Sequence, residues 1–178
     1  VHKEHVVVAV AKRGTPFQGV LFAGLMIENG VARLIEYNVR FGDPECQAIM
    51  SRLASDLLEL LLAAVDGKLD QIELKWSKDS ALTVVMAAKG YPGSYDKGAE
   101  IKGLEALSET SSGMVFHAGT ATRGEEIVAS GGRVLNVTAR GAHLAQAATR
   151  AYDIIEQIEF PGGFYRADIG WRELHRDT

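Results

Sequence analysis

Alternating apolar and polar positions near the start of the chain predict an antiparallel hairpin. Residues 20–28 have the pattern of a buried strand, and residues 31–41 have that of its return strand. Glu28-Asn29-Gly30 lies between them, and Asn-Gly is a dipeptide that two-residue hairpin loops favour. Residues 4–13 are compatible with a short helix or a short strand, because their valines are β-branched.

Apolar residues then recur at spacings of three and four, which predicts one long helix with a single apolar face. The helix begins at Asp43-Pro44, with Asp as the N-cap and Pro at the first helical position, and it ends at Gly67. The apolar face consists of Ile49, Leu53, Leu57, Leu60, Leu61 and Ala64.

After residue 70 the pattern changes to short strands followed by a second helix. Residues 89–98 form a loop that holds three glycines and Pro92. The predicted fold class is therefore α+β, with a boundary between residues 66 and 70. Strands are predicted at residues 72–76, 81–88, 114–117, 125–129 and 133–139, and the helix at residues 142–157.

Composition and charge restrict the class of protein. The chain has 178 residues, of which 47% are hydrophobic and 24% charged, as is typical of a globular domain. A net charge of −4 provides no basic excess for nucleic acid or an anionic membrane, and the most apolar run, residues 57–65, is too short to span a bilayer. The single cysteine, Cys46, excludes an internal disulfide and fits a reducing compartment.

Candidate chemistry lies on the return strand of the hairpin. Because side chains alternate along a strand, Glu36, Asn38 and Arg40 point to one face. Carboxylate and amide oxygens suit Mg²⁺, the guanidinium suits a phosphoryl oxygen, and the helix that starts at Asp43 adds free N–H groups nearby. These parts would suit phosphoryl transfer. A solvated polar face, with Glu36 and Arg40 as a surface ion pair, explains the same alternation equally well.

Six blocks of sequence, in order from about Gly14 to Arg172, together resemble phosphoribosylamine–glycine ligase, a family of the ATP-grasp superfamily. The sharpest block reads E-x-N-x-R-F-G-D-P-E-x-Q over residues 36–47. Several blocks at the expected spacing are far more specific than one motif. The other blocks are GVLFAGLM at 19–26, KGYPGSY at 89–95, VFHAGT at 115–120, GGRVLxVTA at 131–139 and FYRxDIGWR at 164–172.

The resemblance implies a ligase of de novo purine synthesis that joins glycine to 5-phosphoribosylamine. ATP is cleaved to ADP and phosphate, and glycine is activated as an acyl phosphate. The implied cofactor is Mg²⁺ or Mn²⁺, and the implied enzyme is cytoplasmic and monomeric, with neither nucleic acid nor a membrane as a partner. Residues 1–68 would be the C-terminal part of the ATP-grasp catalytic domain, with antiparallel strands and the long helix. Residues 69–178 would be a small C-terminal α+β domain of mixed sheet and helix.

The same resemblance implies roles for individual residues. Glu36 and Asn38 would hold the metal on the ATP phosphates. Arg40 would contact the transferring phosphoryl group, and Asp43 would help to place a substrate. The implied substrate-binding residues are Gly42, Pro44, Gly90, Tyr91, Pro92 and Gly93.

Two observations bear on how complete the site is. Many ATP-grasp enzymes carry a second metal carboxylate at the position of Gly24, whereas the resembled family has glycine there, which favours that family over its relatives. No G-x-x-x-x-G-K-S/T loop occurs, and the resemblance implies that the amino-terminal domain and most of the ATP-binding part lie upstream of the equivalent of Val1. We therefore expect a C-terminal portion of the ligase, with the upstream domains as its partners and no turnover by itself.

The alternatives are a stand-alone interaction module derived from the ligase and another ATP-grasp ligase or carboxylase of purine synthesis.

Overall fold

The structure is a computed structural model that describes residues 3–107 and 113–176. The chain divides into two compact units. The first comprises the residues up to Asp43 together with Leu53–Trp76, and the second comprises Pro44–Arg52 together with the residues from Ser77 onward. Among the helices in the described ranges, none combines the length and the apolarity that crossing a membrane requires.

The first unit contains the predicted hairpin. β1 (Phe22–Glu28) pairs with β2 (Val31–Asn38) in antiparallel register. The turn residues Asn29 and Gly30 both have positive φ, 51° and 75°, which is the conformation that the favoured two-residue loop requires. The hairpin is thus confirmed, although β2 ends at Asn38 rather than at residue 41. The ambiguous N-terminal segment is a helix, α1 (Lys3–Lys12).

The prediction of one long helix from Asp43 to Gly67 is wrong. The structure has two helices there, α2 (Glu45–Arg52) and α3 (Leu57–Val65). Between them Leu53 forms an isolated antiparallel bridge with Trp76. The strand predicted at residues 72–76 is not formed. The only strand pairing that these residues make is the single bridge at Trp76.

Hydrogen bonds of the linker, one to a segment distant in sequence and one to its own helix start, explain why the helix stops and restarts. The Ser55 hydroxyl accepts a hydrogen bond from the Lys75 N–H (2.7 Å), and the Ala54 N–H donates to the Lys75 carbonyl (3.0 Å), so the linker bonds to residue 75 instead of continuing the helix. Asp56 is then the N-cap of α3, and its carboxylate accepts a hydrogen bond from the Glu59 N–H (3.0 Å). An Asp followed three residues later by Glu is a helix-start signal, and here it lies inside an apolar pattern that is otherwise continuous.

The second unit is built around an antiparallel four-stranded sheet in the order β5-β8-β3-β9. The helix α4 (Leu144–Ile155) packs on β8 and β3 and buries three alanines and Ile155 against them. The core is mostly apolar, with Val84, Leu135 and Val137 at 0% exposure, and it also encloses the polar residues Asn136 and Thr138. The strands of this sheet are β3 (Ser80–Ala88), β5 (Gly113–His117), β8 (Arg133–Gly141) and β9 (Gly163–Tyr165).

The remaining elements complete the second unit. The helix α2 contacts β3 and β8 of the sheet. The helix α4 begins at Leu144, later than the predicted residue 142, because the His143 ring accepts a hydrogen bond from the Gln146 N–H (3.2 Å) and so serves as the N-cap. A three-stranded antiparallel sheet in the order β4-β7-β6 and a short helix α5 are also present. Their bounds are β4 (Glu100–Ile101), β6 (Thr120–Arg123), β7 (Glu126–Ala129) and α5 (Trp171–Leu174).

We expect Asp56→Ala to lower the free energy of unfolding by about 1 kcal/mol, because the first turn of α3 loses its side-chain cap. Asp56→Asn is the matched control, since its amide oxygen can accept the same hydrogen bond from Glu59. Urea denaturation of the chain, followed by circular dichroism, measures both variants. Equal stability of Asp56→Ala and the unsubstituted chain would contradict the assigned helix start.

Candidate active site

The clearest constellation of polar side chains lies on β2. Glu36 and Asn38 point to the same face, and the Asn38 amide nitrogen donates a hydrogen bond to the Glu36 carboxylate (3.0 Å). Glu36 is exposed and Asn38 is half-buried. The structure therefore brings together the two residues for which a metal-binding role is predicted.

The chemistry of this pair fits a hard divalent cation. Its donors are carboxylate and amide oxygens, and turning the Asn38 amide over would present its oxygen beside the Glu36 carboxylate. In the described part of the chain, no group of three or more His, Cys, Asp or Glu side chains could hold a metal ion. A pair of protein ligands nevertheless suits Mg²⁺, which usually takes one or two protein ligands and completes its shell with water and phosphate oxygens.

Arg40 follows the pair and does not form the surface ion pair with Glu36 that the alternation also allowed. Its guanidinium instead donates a hydrogen bond to the carbonyl oxygen of Phe41 (2.8 Å). The side chain is exposed. Because a guanidinium has five N–H donors, one bond to the backbone leaves donors for a ligand.

The next predicted residues form the turn into α2. Gly42 is buried, and Asp43 is exposed. The Pro44 carbonyl accepts a hydrogen bond from the Gln47 N–H (3.3 Å), so the first turn of α2 grows directly out of this segment. Gly42 therefore contributes backbone, and Asp43 lies at an exposed position of the turn.

The predicted substrate loop, Gly90–Tyr95, is a tight turn in the second unit. Gly90 has φ of 100°, and a Cβ there would overlap the Ser94 carbonyl. The Gly93 N–H donates to the Gly90 carbonyl (2.8 Å), which closes the turn. Pro92 and Gly93 are exposed at its tip. Gly90 thus shapes the loop, and the tip offers its surface to a ligand.

Two tyrosines fix this loop to the rest of the second unit. Tyr91 and Tyr95 pack edge to face, with ring centroids 6.4 Å apart. A Cβ at Gly132 would overlap the Tyr91 ring and come within 3.0 Å of the Tyr95 ring. The Tyr91 side chain therefore packs inside the second unit. In the sequence, the only sign of this packing is the Gly131-Gly132 pair between predicted strands, which leaves room for the ring.

Sequence reasoning assigned no role to three polar side chains of the second unit. Among the described residues, buried side-chain atoms without a hydrogen-bond partner occur only on Gln47, Arg52 and Asn136. Gln47 is part of the block at 36–47, and Asn136 is the variable position of the block at 131–139, within a predicted strand. Each such atom costs about 1–3 kcal/mol when it stays unpaired.

An ion pair near the C-terminus is structural. The Arg166 guanidinium donates two hydrogen bonds to the Asp168 carboxylate (2.8 and 2.7 Å), which raises the pKa of Arg166 and lowers that of Asp168. The Tyr152 hydroxyl donates to the Arg166 carbonyl (2.9 Å) and accepts from the Ile169 N–H (3.2 Å). This segment is thereby tied to α4, and we assign it no substrate contact.

Comparison with known proteins agrees with the resemblance of the sequence blocks. The family model "Phosphoribosylglycinamide synthetase, C domain" matches residues 81–172, and the model "Phosphoribosylglycinamide synthetase, ATP-grasp (A) domain" matches residues 3–46. Phosphoribosylamine–glycine ligase of Brucella melitensis is 57% identical over 168 residues, which cover 94% of this chain and 39% of the relative. The chloroplastic phosphoribosylamine–glycine ligase of Arabidopsis thaliana is 58% identical over 171 residues, which cover 94% of this chain and 32% of the relative. The chain thus spans roughly a third to two fifths of the curated relatives' length.

Solved structures agree with the fold. The crystal structure of phosphoribosylamine–glycine ligase from Thermotoga maritima superposes with a TM-score of 0.77 at 35% identity, over 90% of this chain and 39% of that chain. The biotin carboxylase domain of a thermophilic 2-oxoglutarate carboxylase superposes with a TM-score of 0.60 at 15% identity, over 91% of this chain and 36% of that chain, and shows a shared fold.

Both family models match in chain order, and the C-domain model alone covers just over half of the chain. The same region is more than half identical to curated ligases from a bacterium and a plant. The chain therefore belongs to the phosphoribosylglycinamide synthetase family.

Proposed function

We propose that this chain is the C-terminal portion of an ATP-dependent ligase that joins glycine to 5-phosphoribosylamine in purine synthesis. The observation that carries the proposal is the Glu36–Asn38 pair, which lies within the residues matched by the ATP-grasp model. Residues 1–68 would belong to the ATP-grasp catalytic domain, and residues 69–178 would form the C-terminal domain. The enzyme would be a cytoplasmic monomer, and the upstream domains of the same polypeptide would supply the rest of the ATP site.

Two of the residues on β2 would act on the phosphates of ATP. Glu36 and Asn38 would hold Mg²⁺ or Mn²⁺, which neutralises phosphate charge when it is bound. The Arg40 guanidinium would stabilise the charge on the transferring phosphoryl oxygens, because its planar fork matches their geometry. These residues provide electrostatic stabilisation, which supplies most of the catalysis in phosphoryl transfer.

The reaction would proceed in two steps. A glycine carboxylate oxygen attacks the γ-phosphorus of ATP, the bond to the β-phosphate oxygen breaks, and ADP leaves. The amine of phosphoribosylamine then attacks the carbonyl carbon of glycyl phosphate, which releases phosphate and a proton and forms the amide. Asp43, an exposed residue of the turn into α2, would help to place one of these substrates.

The substrate-binding role of the remaining predicted residues would rest mainly on backbone. Gly42 and Pro44 flank Asp43, and they set the course of the chain around its carboxylate. The tip of the loop at Pro92 and Gly93 would border the substrate, while Gly90 and Tyr91 hold the loop in shape.

We expect Glu36→Ala or Asn38→Ala in the full-length ligase to lower kcat by about a hundredfold or more and to raise the Mg²⁺ concentration needed for half-maximal activity. The physical reason is that metal-assisted charge stabilisation is worth several kcal/mol, at about 1.4 kcal/mol per tenfold in rate. Steady-state assays of ADP formation across a Mg²⁺ titration measure both quantities.

Glu28→Gln is the control for those variants. It removes an exposed carboxylate from the same hairpin, where Glu28 lies 3.9 Å from Arg33 in a surface ion pair. This control should retain normal turnover and metal dependence, because an exposed ion pair of this kind contributes little to stability. Normal activity of Glu36→Ala or of Asn38→Ala would exclude the proposed metal role.

The 178-residue chain by itself should bind MgATP only weakly, because the proposed site is completed by residues outside it. Isothermal titration calorimetry with MgATP would show little or no heat of binding, whereas the full-length ligase in the same buffer would bind. Micromolar binding by the chain alone would contradict its assignment as a portion of the ATP site.

A further inference from the structure

We propose that Gly24 is a positioning residue for the Glu36 carboxylate. The absence of a side chain at Gly24 would leave room for the Glu36 side chain to lie along β1 and reach its place beside Asn38. This inference rests on the proposed metal-binding role of Glu36 and Asn38. It adds to that site a third residue, Gly24, which lies on the neighbouring strand.

The pairing of the hairpin strands places Gly24 directly opposite Glu36. An ideal Cβ built on Gly24 would lie 3.2 Å from Cγ of Glu36 and 3.7 Å from its carbonyl oxygen. Optimal carbon–carbon separations are about 3.5–4.0 Å, so even a methyl group would press on the Glu36 side chain.

The backbone at Gly24 does not itself require glycine. Its φ lies outside the positive range, in contrast to Gly30, whose φ is 75°. Glycine inside a strand weakens the strand and commonly marks a place where another group approaches closely. Here the close approach is that of the Glu36 side chain, so space rather than backbone freedom explains Gly24.

A register shift follows Gly24 immediately. It lies between Gly24 and Leu25, so the pairing continues at Leu34 instead of Ile35. Irregularities of this kind bend a strand and re-aim the side chains beside them. The shift and the missing Cβ therefore act on the same side chain, Glu36.

The size of the effect follows from metal geometry. A Cβ at 3.2 Å forces Glu36 to move by a few tenths of an ångström. Metal–ligand distances are held to within about 0.2 Å, and Mg²⁺ demands nearly ideal octahedral geometry. A displacement of that size is therefore enough to weaken coordination while the hairpin stays folded.

The test uses the full-length ligase and Mn²⁺, whose binding in the presence of ADP is followed by electron paramagnetic resonance. Gly24→Ala should weaken Mn²⁺ binding about tenfold, as changes to residues that orient a metal ligand typically do. The Mg²⁺ activation constant should rise by a similar factor, while KM for glycine and the thermal unfolding midpoint stay close to those of the unsubstituted enzyme.

Ala23→Val is the matched control. Ala23 is the next residue of β1 and pairs with Tyr37, so the added bulk meets the other face of the hairpin. This variant should leave Mn²⁺ binding unchanged. Weakening of Mn²⁺ binding by the same factor in Gly24→Ala and Ala23→Val would overturn the inference, because it would reflect general disturbance of the hairpin.

Glu36→Gln, measured in parallel, separates the two proposals. Normal Mn²⁺ binding by Gly24→Ala beside weakened binding by Glu36→Gln would overturn the positioning role and leave the metal role standing. Normal Mn²⁺ binding by Glu36→Gln would overturn both, since the carboxylate would then not be a ligand.

Discussion

Alternation of side chains along antiparallel strands is the constraint on which both the core and the candidate site depend. In β2 it brings Glu36 and Asn38 to one face, two residues apart and within hydrogen-bond distance. In β8 the same alternation presents Val137 and Thr138 to opposite faces of a sheet, and both are nearly fully buried. One geometric rule therefore brings two polar side chains together in the first unit and gives β8 two buried faces in the second.

Elements that rest on local signals were predictable. The hairpin turn at Asn29-Gly30 needs only the tolerance of two adjacent residues for positive φ. The strands β3 and β8 and the helix α4 carry their own apolar patterns. The break between α2 and α3 is different, because it depends on pairing between Leu53 and Trp76, which are distant in sequence. Short strands such as β9 likewise form only by pairing with a neighbouring strand, since three residues are too few to show an alternating apolar pattern.

In the candidate site, too, only the features that rest on local signals were predictable. Alternation predicted that Glu36 and Asn38 would share a face, as the structure shows, whereas the metal-binding chemistry implied by the block at 36–47 stays a prediction. Alternation left open whether Arg40 would pair with Glu36, and the structure shows that it bonds to the Phe41 carbonyl instead. The packing of Tyr91 over Gly132 was not predictable, because it joins a loop to a turn about forty residues further along the chain.

The glycines of this chain separate into two physical classes, which the sequence alone does not distinguish. Gly30 and Gly90 have positive φ, so their backbone conformation excludes most side chains wherever the neighbours lie. Gly24 and Gly132 lie outside the positive-φ range, and there a side chain would be opposed by the group that stands opposite. At Gly132 the opposing groups are packed aromatic rings, so a substitution would be opposed by the fold. At Gly24 the nearest opposing atom is Cγ of the exposed Glu36 side chain, which can move, so a substitution would first affect whatever the Glu36 carboxylate binds.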